Sequence, residues 1–213
     1  MQIRQLPPFS KDNARLPRIV SPATPATKHI NSMFDVLDAR WSGFMRSCPK
    51  DGETGRVVDV TMSGPQFLSV VVSDSESCGG AHPDASTLAL VYDLSTGKPV
   101  NWGTLLGHRA ALTTSVDTVI DGTRSGYFAS APLQALYVKS LKASIHDKEW
   151  WTDCTDVFND PLSFTAWLDA KKHALVLAPS LPHVVQACAE DGTVGTNDLE
   201  KMGASANLIA ALH

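Results

Sequence analysis

Residues 77–84 read Ser-Cys-Gly-Gly-Ala-His-Pro-Asp. Two adjacent glycines allow backbone angles closed to other residues and leave amide N–H groups bare, a geometry that can hold an anion. His82 and Asp84 add a titratable pair beside them. The segment reads in two ways. One is a ligand-recognition loop made of Gly79, Gly80, Ala81, His82 and Asp84. The other is a tight connection pinned through Cys78, with His82 bonded to main chain. A hydrolytic site would use His82 as acid and base with Asp84 orienting it, and would need a nucleophile, water or metal within hydrogen-bond reach. A second grouping sets Glu149, Asp153 and Asp156 beside Trp150 and Trp151. Carboxylates with tryptophans can build a sugar or metal site. At near-helical spacing these acids read instead as a solvated helix face, with the tryptophans turned to the core.

Other catalytic signatures are missing. In residues 122–126, Gly-Thr-Arg-Ser-Gly, the serine stands one place late for a nucleophile elbow. Residues 96–99, Thr-Gly-Lys-Pro, lack the upstream glycine of a phosphate loop and carry proline where a hydroxyl should hold magnesium. The seven histidines never fall at H-x-x-x-H spacing. No catalytic residue, metal ligand or cofactor is therefore assigned.

The four cysteines are Cys48, Cys78, Cys154 and Cys188, with no C-x-x-C pair. Spacing points to Cys48–Cys78 and Cys154–Cys188, although four cysteines allow three connectivities. Loops of that size would each give about 3–4 kcal/mol by chain-entropy reasoning. Two disulfides imply an oxidising compartment; the alternative is four buried thiols in the cytosol.

The elements that must position these residues follow from pattern. The proline-bearing residues 1–21 read as an extended arm able to add an edge strand. Thr24 and Pro25 open a helix as N-cap and first residue. Ile30, Phe34, Leu37, Trp41, Phe44 and Cys48 then recur at steps of four and three, one helical face. Pro49 and Gly52 end it. Alternation at residues 58–62 and 68–72 about Ser-Gly-Pro-Gln predicts a hairpin. Residues 73–85 read as a polar loop and 87–94 as a third strand. Residues 101–107 read as a short helical turn, and Pro132 opens a helix presenting Leu133, Leu136, Tyr137 and Leu141. A short helix over 148–158 follows, then a hairpin of 162–168 with 173–177. Residues 184–189 read as a strand, and Thr196 or Asn197 caps a last helix broken at Gly203. Irregular alternation of hairpins and helices gives an α+β fold: antiparallel sheets packed against helices, two lobes sharing one core. Residues 22–213 form one domain, with sub-lobes at 22–66 and 67–213.

Composition narrows the class. Of 213 residues 43% are hydrophobic and 19% charged, which excludes global disorder. A net charge of −4 argues against a nucleic-acid binder. No apolar run exceeds five residues, far short of the roughly 20 that span a bilayer. The first twenty residues lack the apolar core of a signal peptide, so an exported protein would have lost its signal already.

Residues 67–106 read FLSVVVSDSESCGGAHPDASTLALVYDLSTGKPVNWGTLL. A strand with Leu-Ser-Val, a Gly-Gly-Ala-His loop, a second strand, Asp-Leu-x-Thr-Gly-Lys and a Leu-Leu turn follow in order. The stretch resembles the bacterial family known as domain of unknown function 3298. That domain forms the extracytoplasmic C-terminal part of RsiV-like, lysozyme-sensing anti-sigma factors and accompanies the catalytic domain of PdaC-like peptidoglycan deacetylases. The helix carrying Ile30 and Asn31 resembles its usual N-terminal companion. The resemblance implies a periplasmic or secreted, non-catalytic binding domain, with lysozyme or cell-wall glycan as partner. Its matched residues are Gly79, Gly80, Ala81 and His82, and the turn Asp93, Thr96, Gly97 and Lys98. Ser77 and Cys78 depart from the family, which often has aromatic or threonine residues there. Neither the anti-sigma role nor deacetylation is carried over. An envelope hydrolase using His82 and a structural subunit of an envelope assembly are the alternatives.

Overall fold

The computed structural model describes residues 1–80, 82–116, 119–120, 123–124 and 127–213, excepting the side chains of 114–116, 119–120 and 123–124. The chain forms two compact units, Met1–Pro99 with Ile120–Thr123, and Val100–Val119 with Arg124–His213. Both combine helices with antiparallel strands, the α+β class that the sequence predicts. The main stretch of the first unit ends at Pro99 and the second unit begins at Val100.

In the first unit the N-terminal arm folds back on itself. Strands β1 (Gln2–Arg4) and β2 (Arg18–Ser21) pair antiparallel. Helix α1 (Pro25–Ser47) starts where Thr24 and Thr27 exchange side-chain and backbone hydrogen bonds, a reciprocal cap for two otherwise orphaned donors. Its buried stripe is Ile30, Phe34, Leu37 and Trp41. Asn31 brackets the arm: its Oδ1 accepts from the Ile19 N–H and its Nδ2 donates to the Ile19 carbonyl, both at 2.9 Å.

Strands β3 (Glu53–Ser63), β4 (Phe67–Ser77) and β5 (Asp84–Asp93) form a sheet in that order. Its inner half supplies Leu68, Val70, Val72, Leu90 and Tyr92 to a core shared with Leu16, Ile19, Ile30, Phe34 and Leu37. Phe34 meets Tyr92 edge to face at 5.8 Å. The outer half is polar. Residues 73–77 and 84–85, expected as loop, are strand, because the ladder continues on both sides of β4 as far as Glu76 and Asp84. The arm also bonds to the backbone of this sheet: the Arg56 N–H donates to the Asp12 carbonyl at 2.8 Å and the Ala14 N–H to the Arg56 carbonyl at 2.9 Å.

The second unit opens with α2 (Trp102–Leu106), capped by Asn101, and a 3-10 turn at His108–Ala110. Then comes β6 (Thr113–Val116); β7 (Val119–Ile120) and β8 (Thr123–Arg124) each have one residue in either unit, and β9 (Tyr127–Ala129) lies in the second. Helices α3 (Ala131–Ser144) and α4 (Lys148–Asn159) precede the hairpin of β10 (Ser163–Asp169) and β11 (Ala174–Pro179). The chain closes with β12 (Gly192–Gly195), α5 (Thr196–Met202) and α6 (Ala206–Leu212). Strands β7 and β8 form a two-stranded sheet; the five-stranded sheet runs β12-β11-β10-β9-β6. Every residue of β11 is buried, as its continuous apolar run requires. Tyr137 of α3 packs on Phe158 and Phe164 and lies so close to Gly192 that an added Cβ there would fall 2.3 Å from its ring.

Two sequence expectations fail here. Residues 184–189 were expected as strand; His183–Cys188 is a 3-10 turn with Val184 90% exposed. Pro182 opens that turn and a disulfide closes it, which overrides the β preference of two valines. Gly195 occupies the N-cap of α5, so neither Thr196 nor Asn197 caps it.

Candidate functional site

The candidate loop leaves β4 at Ser77 and enters β5 at Asp84. Cys48, at the C-cap of α1, is bonded to Cys78 with Cα atoms 5.0 Å apart. The clasp therefore joins the end of the helix to the outer end of the sheet. Gly52 wraps the sulfur: an added Cβ there would lie 2.6 Å from the Cys48 Sγ. Gly79 takes φ +94°, the left-handed region that the Gly-Gly pair predicts. Gly79, Gly80, His82 and Asp84 are exposed, while Ala81 lies outside the described residues. Asp84 belongs to β5, pairing in register with Glu76, and its Oδ1 accepts the Ala85 N–H at 2.9 Å. The structure thus places Gly79, Gly80 and His82, each exposed, between β4 and β5, with Asp84 at the start of β5.

What holds that end of the sheet was not legible as a motif. Arg56 donates twice to Asp74, from Nε at 2.6 Å and Nη2 at 2.7 Å. Its guanidinium lies 4.2 Å over the Trp41 ring. The Trp41 Nε1–H donates to Asn13 Oδ1, and Asn13 Nδ2 donates to the Thr54 carbonyl, both at 2.9 Å. One polar chain thus fastens arm, helix and sheet just inside the disulfide. The only sequence signal was hairpin register, which sets residue 56 opposite 74. The family-like turn is structural too. Asp93 Oδ1 accepts from the Ser95 N–H at 2.7 Å, and the Gly97 N–H donates to the Asp93 carbonyl at 2.7 Å. Gly97 has φ +71°, and an added Cβ would lie 2.6 Å from the Ala26 carbonyl oxygen, so only glycine lets this turn rest on the start of α1.

In the second unit Glu149, Asp153 and Asp156 are exposed along α4, the solvated face expected. Trp150 and Trp151 are half-buried, not fully in the core, and meet edge to face at 5.0 Å. Their indole N–H groups donate to the Ala187 and Ile145 carbonyls at 3.1 and 3.0 Å. Cys154 is bonded to Cys188, with Cα atoms 5.6 Å apart, tying α4 to the 3-10 turn. An open hollow of about 730 Å³ lies among Ala129, Pro132, Ala135, Val138, Phe158 and Leu162. Gln134 on its wall is fully engaged: Nε2 donates to the Phe158 and Asp160 carbonyls at 3.0 and 2.8 Å, and Oε1 accepts the Leu162 N–H at 2.9 Å. Sequence reasoning missed the hollow because its small apolar residues look like core.

Three ionisable groups of this unit are shifted from their ordinary values. Burial, then the Asp191 and Glu190 charges, pushes the Tyr137 phenol up, and its hydroxyl donates to the Glu190 carbonyl at 2.8 Å. Desolvation raises the Asp191 carboxyl, with Lys172 acting against it. A hydrogen bond from Lys139 at 3.2 Å, foremost, holds Asp198 low. Among the described residues no group of three His, Cys, Asp or Glu side chains could hold a metal, and no helix is long and apolar enough to cross a membrane.

No known family's sequence profile matches the chain. No curated protein matches it in sequence either. A solved structure is similar in fold: the crystal structure of a member of the domain of unknown function 3298 family from Bacteroides fragilis NCTC 9343. The likeness covers 90% of this chain and 74% of that one, with a TM-score of 0.50 and 16% identity. The chain therefore has the fold of that family, in agreement with the resemblance carried by residues 67–106. The neighbour is named only as a domain of unknown function, so the likeness brings no activity with it.

Proposed function

We propose that this chain is an exported, non-catalytic binding domain whose 79–84 loop recognises a partner at the cell envelope, either lysozyme or a cell-wall glycan. The observation that carries the reading is the clasped, exposed loop: Cys78 is bonded to the end of α1, and Gly79, Gly80 and His82 stand in solvent beyond it. A loop held in one conformation binds without ordering itself, which otherwise costs about 0.5–1.5 kcal/mol per immobilised side chain. Two disulfides support an oxidising compartment. The fold shared with the Bacteroides fragilis protein agrees with the resemblance of residues 67–106, and the binding role is what that resemblance implies.

The test is direct binding of the full chain to immobilised lysozyme and, separately, to solubilised peptidoglycan fragments. One of the two should bind saturably, and His82→Ala or Gly80→Trp should weaken it at least fivefold while thermal unfolding stays unchanged. Binding to neither, or equal binding by the loop variants, would sink the reading.

A further inference from the structure

The two disulfides sit in opposite surroundings. Cys154 and Cys188 are 1% and 5% exposed. Cys48 and Cys78 are both half-buried at the surface. The elements they fasten differ as well. The buried stripe of α1 ends at Trp41, seven residues before Cys48, and residues 42–47 are half-buried or exposed. The core contributed by β4 and β5 ends at Val72 and begins again at Leu88. Beyond those points the sheet is Ser73, Asp74, Ser75, Glu76 and Ser77 facing Asp84, Ala85 and Ser86. Little apolar burial holds this outer half; ladder hydrogen bonds, the Arg56–Asp74 pair with its Trp41 and Asn13 contacts, the arm's backbone bonds to Arg56 and one sulfur bridge do. Segments with few buried apolar contacts open at low free energy without the rest of the fold.

We infer that Cys48–Cys78 is a redox clasp: a dithiol reductant opens it in the folded protein and releases the strand ends 73–77 and 84–86 from the end of α1, while Cys154–Cys188 stays closed. The step is ordinary thiol–disulfide exchange. A thiolate of the reductant bonds to one sulfur of the clasp, and the other leaves as thiolate and takes up a proton. The reductant's second thiol then displaces the first sulfur and closes its own disulfide. Two electrons pass from the dithiol to the protein, and two protein thiols result. The agent is by class a thiol–disulfide oxidoreductase or small dithiol of the compartment. That opening the clasp alters recognition rests on the function proposed above; the opening itself does not.

The experiment uses the intact oxidised chain without denaturant. Dithiothreitol is titrated in, thiols are trapped with N-ethylmaleimide, and the sites are mapped by peptide mass spectrometry with hydrogen exchange alongside. Cys48 and Cys78 should label together, at least about tenfold faster than Cys154 and Cys188, as reduction follows access. Exchange should rise across 73–86 while 67–72 and 88–93 keep their protection. Equal labelling of all four cysteines overturns the inference, as does loss of protection throughout β4. A Cys48→Ser, Cys78→Ser chain should reproduce the reduced exchange pattern with its core intact; a chain that unfolds instead overturns the inference as well. Binding to lysozyme and glycan is read separately on both redox forms. Selective labelling with no binding in either state removes the proposed function and leaves the clasp; unselective labelling with binding removes the clasp alone.

Discussion

Replacing Asp74 by alanine separates the polar chain beneath the candidate loop from ordinary surface pairing. The Arg56 side chain is 7% exposed and that of Asp74 18%. Asp74 receives two short hydrogen bonds from that guanidinium, which also lies over the Trp41 ring. Breaking a fully buried pair costs about 3–5 kcal/mol, because one charge is left uncompensated. Water reaches Asp74 in part, so the expected loss is about 2–3 kcal/mol. For a unit of this size that is a fall of roughly 10–20 °C in Tm, at about 4–8 °C per kcal/mol. The comparison is Arg56→Met with Asp74→Leu, which removes both charges and keeps an aliphatic stem over Trp41. It should recover at least half of the loss. Urea unfolding with hydrogen exchange on the 53–63 and 67–77 strands gives both numbers. If Asp74→Ala lies within about 0.5 kcal/mol of the parent, the pair is a screened surface contact and the account of this sheet end is wrong.

Two further substitutions test other parts of the frame. Gly97→Ala should destabilise by about 2–4 kcal/mol in urea melts, since it joins a left-handed backbone to a clash with the Ala26 carbonyl. Gly195→Ala, where nothing lies within 4 Å, should change little, and equal effects would remove the packing argument. Tyr137 sets an alkaline limit. Its folded pKa is raised, so above pH 10 the unfolded chain loses the phenolic proton first. The folded state then binds more protons and stability falls with rising pH, by at most about 1.4 kcal/mol per unit, and is constant below pH 10 for this group. Tyr137→Phe should lose about 1 kcal/mol at neutral pH with the bond to Glu190 and flatten that alkaline slope. An unchanged slope in the variant refutes the assignment.

Local signals with a mechanism survived the passage from sequence to structure. Thr24, Pro25 and the stripe from Ile30 to Trp41 gave α1 almost to the residue, because cap and periodicity are properties of the chain itself. The cysteine pairs followed neighbour order. Where partners far along the chain decide, the reading failed. Ser-Asp-Ser-Glu-Ser looks like loop and is strand because two neighbours supply its ladder. Val184 and Val185 look like strand and lie in an exposed turn set by Pro182 and Cys188. The candidate loop was legible as Gly-Gly beside a cysteine, but the Arg56–Asp74–Trp41–Asn13 support was not, since it joins four separate segments.

Gln134 carries a consequence of another kind. Its single amide closes the last turn of α4 and also seats the first residue before β10, so the route of the chain from Phe158 to Leu162 is dictated from a neighbouring helix. Cutting the backbone between residues 159 and 161 would leave both ends clipped to the same side chain. The second unit would then tolerate a nick, or new termini, at a place where an unsupported connection would come apart.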